Sequence, residues 1–524
     1  MPGETNLSLV TIIELLLVVL AVAVLVKHVR VPYTVALVLA GLVIGAVPQL
    51  SGIVLTPDLI LTIFLPVLLF EGAYNLPAHR LRHNLAPVAL LAVPGVLLST
   101  GATAALVHWG LGLDWQVALL FGTLISATDP VAVLALFRQL GAPHRLATIV
   151  EGESLFNDGT AFVLFQIVLG SILSGSFSLA DGVEQFVVGV AGALAIGGAI
   201  GFGGSLLLRA VDDYLLEITA TFVAAYGAFV LAERFHFSGV IAVVTAGLWF
   251  GNYGSVTAMT PRTNYALSAT WEFAGFVANS LIFLLIGLAL ELEALGGIWW
   301  FVLIAFAATL VGRALGVYVL SPLLRGRSRV PQPYRHVLVW GGLRGALSLA
   351  LVLSLPFTLA DGSPFPERAL LLGMTFGVVG ASLLLQGLTM GPLLSRLGLV
   401  AEREEVDEYE SLRGQLSASE AGLQDLASQH DRGEISEVQY ERLSEAYSRQ
   451  QEWLTQRLAE LQASSDGRSG RQERIAARRA ALAEKAAVQG LYQRGAISEE
   501  TLRTLDEEID TRLESVEDDP DAPA

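Results

Sequence analysis

Glu151-Gly152-Glu153-Ser154-Leu155-Phe156-Asn157-Asp158 lies inside Leu146 to Leu173, an apolar run long enough to cross a bilayer. Carboxylates are costly there. On insertion scales an Asp at a helix centre costs roughly 2.5–3.5 kcal/mol, so acids retained in hydrocarbon mark a path for ions or protons. At about 100° per residue, Glu151, Ser154 and Asp158 fall within roughly 60° of one another, while Glu153 and Asn157 share a neighbouring face. Two faces imply two jobs. The Ser154 and Asp158 face offers hard oxygen ligands to an alkali cation. The Glu153 face suits a buried arginine, and Arg344 is the obvious partner because an unpaired buried Arg would be severely costly. Glu151 lies roughly 10 Å along the axis from Asp158, toward the expected cytoplasmic side, where it would serve as an entry-funnel charge.

The surroundings are those of a polytopic membrane protein. Hydrophobic residues make up 53% of 524 and charged residues only 15%, with a mean hydropathy of +0.59. Thirteen apolar segments can be marked. Leu7 to Val26, Val31 to Leu50, Pro57 to Asn75, Leu85 to His108, Trp115 to Phe137, Leu146 to Leu173 and Val183 to Leu208 come first. Leu216 to Leu231, Gly239 to Phe250, Trp271 to Leu290, Ile298 to Leu320, Val337 to Leu355 and Ala369 to Leu394 follow. Most approach the ~20 residues a spanning helix needs, and the ninth is short enough to be tilted, broken or re-entrant.

The first segment has no basic leader or small-residue cleavage site and is followed by Lys27, His28 and Arg30, so a retained helix with an outward amino end is expected. That start puts Lys27, Arg30, Arg80, Arg82, Arg138, Arg145, Arg209, Arg262, Arg325, Arg327, Arg329 and Arg335 in cytoplasmic loops, with Arg234 and Arg368 outside. The asymmetry follows the positive-inside rule and supports an odd count of spans. Without cysteine the chain has neither a disulfide framework nor thiolate chemistry.

Residues 1–400 form the expected membrane domain. Of 49 acidic and 32 basic side chains, 29 and 15 fall after residue 400, so the net charge of −17 divides as −3 and −14. Residues 401–515 are polar and helix-prone. Arg432-Gly433-Glu434-Ile435-Ser436-Glu437 resembles Arg494-Gly495-Ala496-Ile497-Ser498-Glu499, each reading as a turn between helices, with Ser436 and Gln439 fitting a capping box. One or two antiparallel helical hairpins result, either a solvated cytoplasmic appendage or a regulatory or dimer-stabilising domain. Residues 516–524, acidic and proline-containing, read as disordered.

Two segments carry interruptions. In Ser126-Ala127-Thr128-Asp129-Pro130, the proline cannot donate to the Ser126 carbonyl and disfavours helix at Asp129. A kink would account for the proline alone; a break lining a cavity also accounts for the Thr and Asp. In Trp340-Gly341-Gly342-Leu343-Arg344-Gly345-Ala346, three glycines and an arginine make a second candidate break. If segments one to six and eight to thirteen are repeats, the fifth and twelfth correspond, and matching interrupted helices point to a transporter binding site. Glu71 near the inner end of the third segment either snorkels to the interface or adds a cation ligand or gate. Arg313, Asn279 and Ser280 read as helix-packing glue, and Glu14 as interfacial.

Thr128-Asp129-Pro130, Gly152-Glu153-Ser154-Leu155-Phe156-Asn157-Asp158 and Gly342-Leu343-Arg344-Gly345, in this order over segments one to thirteen, resemble the monovalent cation/proton antiporter-1 family of sodium/proton exchangers. The resemblance implies an all-α fold of thirteen transmembrane helices in an inverted repeat, with broken helices five and twelve crossing. It implies a homodimer held by a scaffold domain, with a six-helix core moving like an elevator. The Asn-Asp pair matches the electroneutral branch, in which one Na⁺ or Li⁺ exchanges for one H⁺ in the service of pH and sodium homeostasis. Asp158 would be the shared site, with Thr128 (through its carbonyl), Ser154 and Glu71 completing the cation shell. Asn157 and Asp129 would hold the crossing; Glu153 and Arg344 would brace the core. No cofactor is implied beyond the transported ions.

The physical logic stands beside the likeness. Proton and alkali cation compete for one carboxylate in a dehydrated cavity, so binding one expels the other. If only the neutralised carboxylate crosses between open states, exchange needs no further energy source. Potassium/proton exchange is the near alternative, and a gated cation channel the alternative from another class. An enzyme is not indicated, since the eight histidines show no metal-ligand spacing and no phosphate loop is evident. Nor is there a nucleic-acid module.

Overall fold

The computed structural model describes residues 9–26, 32–45, 59–175, 178–209, 213–254, 261–289, 292–359, 362–400 and 403–464, with isolated helical positions between 480 and 509. Two compact units divide the chain: Met1–Gln139 with Leu146–Leu397, and Leu140–Arg145 with Gly398–Ala524. Among the described residues every regular element is helical.

The first unit opens with α1 (Leu9–Val26), α2 (Tyr33–Gly45), α3 (Leu65–Asn75), α4 (Ala78–His83), α5 (Leu85–Leu90) and α6 (Val96–Leu111). A π-helical turn at Leu91–Gly95, containing Pro94, joins α5 to α6, and another at Leu59–Phe64 leads into α3. Then come α7 (Trp115–Leu124), α8 (Val131–Leu140), α9 (His144–Ser174), α10 (Leu179–Leu208), α11 (Tyr214–Arg234) and α12 (Gly239–Trp249). Three of these starts follow from the sequence directly. The side chains of Ser178, Asp213 and Ser238 accept from the amides of Asp181, Leu215 and Ile241, satisfying first-turn donors of α10, α11 and α12.

Next are α13 (Pro261–Ala289), α14 (Leu292–Leu320), α15 (Gln332–Trp340), α16 (Ala346–Leu353), α17 (Arg368–Ala381) and α18 (Gly387–Arg396). A π-helical turn at Ser382–Gln386 joins the last two. Among the described residues, seven helices are long and apolar enough to cross a membrane: Leu85–Leu111, His144–Ser174, Leu179–Leu208, Tyr214–Arg234, Thr263–Ala289, Gly296–Leu323 and Arg368–Arg396. The tenth segment starts earlier than its hydropathy suggests, at Pro261 instead of Trp271, because the polar first turns of α13 continue the helix past the apolar run.

Close helix contact is bought with small residues in one place that frames the site. A β-carbon on Gly41 of α2 would run into the Leu284 carbonyl of α13, and one on Gly287 would run into the Val38 carbonyl. Backbones touch there, as small-residue crossings permit. Tyr33 at the start of α2 stacks on Phe276 at 5.5 Å and its hydroxyl lies 2.9 Å from Ser280 Oγ. By contrast α10 leaves Val183, Val187, Leu194 and Phe202 exposed, an apolar face suited to lipid.

The second unit contains a helical hairpin, α19 (Arg403–Asp431) and α20 (Glu437–Ser464). The Ser436 amide donates to Gln439 Oε1 at 3.0 Å, the return half of a capping box. Leu412, Leu454 and Leu458 are buried between the helices. The second turn motif, residues 494–499, and the acidic end, 516–524, lie outside the described residues.

Candidate functional site

The α9 segment resolves into its two faces. Glu151, Ser154 and Asp158 line a cavity of about 330 Å³, while Glu153 and Asn157 are buried on the neighbouring face of the helix. Asn157 Nδ2 donates to Glu153 Oε1 at 2.8 Å, one helical turn away. The i, i+4 spacing that stacks side chains on a helix face fixes both groupings.

Opposite this face the chain leaves helical geometry between Leu124 and Val131. Thr128 is held there by three polar contacts. Its amide donates to Asn157 Oδ1 at 3.3 Å, its hydroxyl accepts from Asn157 Nδ2 at 2.5 Å, and its carbonyl accepts from Ser154 Oγ at 2.5 Å. Asn157 thereby fixes the unwound backbone in place of the missing helical bonds.

The second interruption spans Gly341–Gly345, between α15 and α16, and is joined to the first by backbone. The Asp129 amide donates to the Leu343 carbonyl at 2.8 Å. Asp129 Oδ1 accepts from the Val131 amide at 3.0 Å, and its carboxylate packs directly on Gly345, just before α16. One carboxylate therefore serves the amino ends of two half-helices, α8 and α16, where negative charge is favourable. A β-carbon at Gly345 would overlap it. Gly345→Ala is accordingly expected to cost about 1–3 kcal/mol, the usual penalty for overpacking, and to slow ion exchange several-fold. Thermal melting of the detergent-solubilised variant checks this, and an unchanged melt would remove Asp129 from that contact.

The buried arginines are distributed differently from the sequence expectation. Glu153 pairs with Arg313 of α14, not with Arg344: Nη1 to Oε1 and Nη2 to Oε2 are both 2.8 Å. Arg313 also donates through Nε to the Leu338 carbonyl at 3.1 Å, near the end of α15. Its assignment as packing glue is corrected by this fork, which needs the flat five-donor geometry of a guanidinium. Arg344 instead donates from Nη1 to the carbonyls of Ser126 at 2.7 Å and Ala127 at 3.1 Å. A cation therefore sits at the carboxyl end of each half-helix, matching the partial negative charge of the exposed carbonyls. Sequence spacing singled out Arg344 because it lies in a break; it carried no information about which helix faces Glu153.

The cavity walls bring together Glu71, Thr128, Asp129, Glu151, Ser154 and Asp158. Glu71 is half-buried, accepts from Asn75 Nδ2 at 3.0 Å, and faces the cavity rather than lipid. Sequence reasoning missed Glu272 and Arg138, and it assigned Asn279 and Ser280 to packing; all four line this cavity. Asn279 and Ser280 follow Glu272 by seven and eight residues, two turns along one side of α13, and polar residues so placed in an apolar helix would have been a signal. Glu14 is exposed on α1. Among the described residues no group of three or more His, Cys, Asp and Glu side chains is arranged to hold a resident metal ion. What the walls do offer is the mid-helix carboxylate of Asp158 with the neutral hydroxyl of Ser154 and the unwound backbone of Thr128 beside it.

A family model described as "Sodium/hydrogen exchanger, transmembrane" matches residues 15–396. The Na(+)/H(+) antiporter ApNhaP of Aphanothece halophytica is 42% identical over 400 residues, covering 76% of this chain and 75% of that protein. The Na(+)/H(+) antiporter NhaG of Bacillus atrophaeus is 36% identical over 487 residues, covering 90% of this chain and 91% of its own length, so the match runs past residue 400. Among solved structures, the sodium proton antiporter MjNhaP1 of Methanocaldococcus jannaschii at pH 8 has the same fold, with a TM-score of 0.62 at 22% identity over 74% of this chain and 99% of that one. With the model spanning both interruptions and the acidic segment between them, the chain belongs to the sodium/hydrogen exchanger family.

Proposed function

We infer that this chain is a multi-pass membrane Na⁺/H⁺ antiporter in which Asp158 is the group that Na⁺ and H⁺ occupy in turn. The observation that carries the reading is the position of Asp158. It lines a cavity together with Thr128 and Ser154, against two helix interruptions joined through Asp129 and Leu343. The curated relatives named above are Na⁺/H⁺ antiporters, so the activity is that of a transporter and not of an enzyme. Asp158 supplies the charge, Ser154 Oγ and the Thr128 carbonyl supply neutral oxygens, and Glu71 adds a carboxylate on the facing wall. Asn157, Asp129, Glu153 and Arg344 hold the crossing in shape, and Arg313 joins them.

Seven long helices, four shorter apolar ones and the two interrupted pairs support a thirteen-span arrangement. With the amino end outside, the described arginines at 80, 82, 138, 145 and 209 fall on the cytoplasmic side, as does the hairpin domain after residue 400. With Asp158 as the one carboxylate that Na⁺ and H⁺ occupy in turn, and Glu71 in the same state whichever ion is bound, the reading is a one-for-one, electroneutral exchange. An elevator-like displacement of the crossing against α2 and α13 is the motion that fits a cavity walled by both.

The test is transport by the purified protein in liposomes with an internal pH dye, challenged with NaCl, LiCl and KCl. Saturable pH changes driven by Na⁺ or Li⁺, unaffected by clamping the membrane potential, are expected. Potential-dependent currents without proton movement would mean a channel, and a response confined to KCl would move the assignment to potassium/proton exchange.

A further inference from the structure

The cavity contains a hydroxyl that the ligand set above does not use. Ser348 lies in the first turn of α16, fully buried. Its Oγ has no hydrogen-bond partner, yet it lines the same cavity as Asp158, Ser154 and Thr128. Buried hydroxyls are bonded in the large majority of cases, and each exception calls for an explanation. The neighbouring hydroxyls are already engaged: Ser154 donates to Thr128, and Ser280 to the Phe276 carbonyl. Thr34 Oγ1 on α2 is the other partnerless hydroxyl in the lining. The two differ in what they are attached to. α16 is tied to Thr128 and Asp129 through the Asp129–Leu343 backbone bond and the Asp129–Gly345 contact, so Ser348 keeps its place relative to the unwound segment. Thr34 belongs to α2, which packs on α13.

We propose that Ser348 is a specificity-determining ligand of the transported cation, its Oγ completing an oxygen shell that draws on both interrupted helices. The proposal rests on the reading of Asp158 as the exchange site. A hydroxyl suits this place because its lone pairs replace water around a dehydrated alkali ion while adding no titrating charge. It therefore favours the cation over the proton at Asp158. A small ion satisfied by few oxygens depends on it least, so Li⁺ should be less affected by its removal than Na⁺.

The experiment compares wild type, Ser348→Ala, Ser348→Cys, Thr34→Ala and Asp158→Asn in liposomes and in thermal melts with and without NaCl. Ser348→Ala is expected to raise the KM for Na⁺ about 3- to 10-fold, the size of losing one neutral hydrogen-bond-strength contact. Its KM for Li⁺ and its maximal rate should change less. In sodium-free buffer it should melt at or above the wild-type temperature, because a partnerless buried hydroxyl is removed, while the rise in Tm on adding NaCl shrinks. Ser348→Cys, which keeps the size and replaces hard oxygen by sulfur, should behave like Ser348→Ala. Thr34→Ala should share the gain in melting temperature without the loss of sodium affinity. A wild-type sodium KM and ion preference in both Ser348 variants, or an equal loss in Thr34→Ala, overturns the proposal. An inactive Asp158→Asn beside a wild-type-like Ser348→Ala sinks the role of Ser348 alone, whereas an active Asp158→Asn sinks the site itself.

Discussion

Asp158→Asn is expected to lower sodium-driven proton exchange at least ~100-fold in liposomes while the protein still folds. The substitution keeps the side-chain volume and one oxygen, so the cavity shape survives. With Asp158 as the proposed exchange site, it removes the charge that would neutralise a dehydrated cation, and leaving such a charge unpaired in a buried site costs several kcal/mol, each 1.36 kcal/mol being about tenfold. It also removes the proton site, so neither half of the cycle runs. The wild type should show the complementary signature of one site shared by two ions. With pH equal on both sides, its apparent KM for Na⁺ should rise about tenfold per unit as pH falls below the range where the carboxyl titrates, and stay flat above it, as for any competitive ligand pair. Exchange by Asp158→Asn within twofold of wild type, or a KM for Na⁺ that ignores pH, would show that the ions bind elsewhere.

Arg313→Ala should have the largest effect on stability. Glu153 would be left as a buried carboxylate that still accepts from Asn157 Nδ2, and the Leu338 carbonyl would lose its donor. Breaking one half of a buried ion pair typically costs about 3–5 kcal/mol, enough to collapse the monodisperse peak on size-exclusion chromatography or to lower the melt steeply. Arg313→Lys should not rescue it, since an ammonium cannot make two parallel bonds to a carboxylate and also reach a third oxygen as a fork does. Removing both charges, as Glu153→Leu with Arg313→Met, should recover much of the loss because the desolvation cost goes with them. Should Arg313→Ala melt like wild type while Arg344→Ala does not, the pairing shown here is wrong.

The segment from Gly152 to Asp158 contains enough spacing information to separate a cavity-facing side from a side that pairs with arginine, because a helix converts i, i+4 into adjacency. Pro130 and the glycines at 341, 342 and 345 likewise announce where helix must stop, since one lacks a donor and the others lack a β-carbon. Partner choice was not legible in the same way. Arg313 and Arg344 are both lone arginines in apolar segments, and which one reaches Glu153 depends on how α14 and α15 pack around α9, a three-dimensional fact with no local signature. The polar side of α13 is illegible for a related reason: Glu272 is separated from the adjacent Asn279 and Ser280 by six apolar or small residues, and only the proximity of α2 and α3 turns that side into a wall.

The bond from the Asp129 amide to the Leu343 carbonyl runs peptide to peptide, so it survives every side-chain replacement at either position except proline at 129. Alanine scanning would pass over this joint silently, and its results would credit the coupling of the two interruptions to whatever side chains surround it. Sequence drift at residue 343 can change the side chain while the weld persists, whereas at residue 129 the carboxylate has contacts of its own to keep.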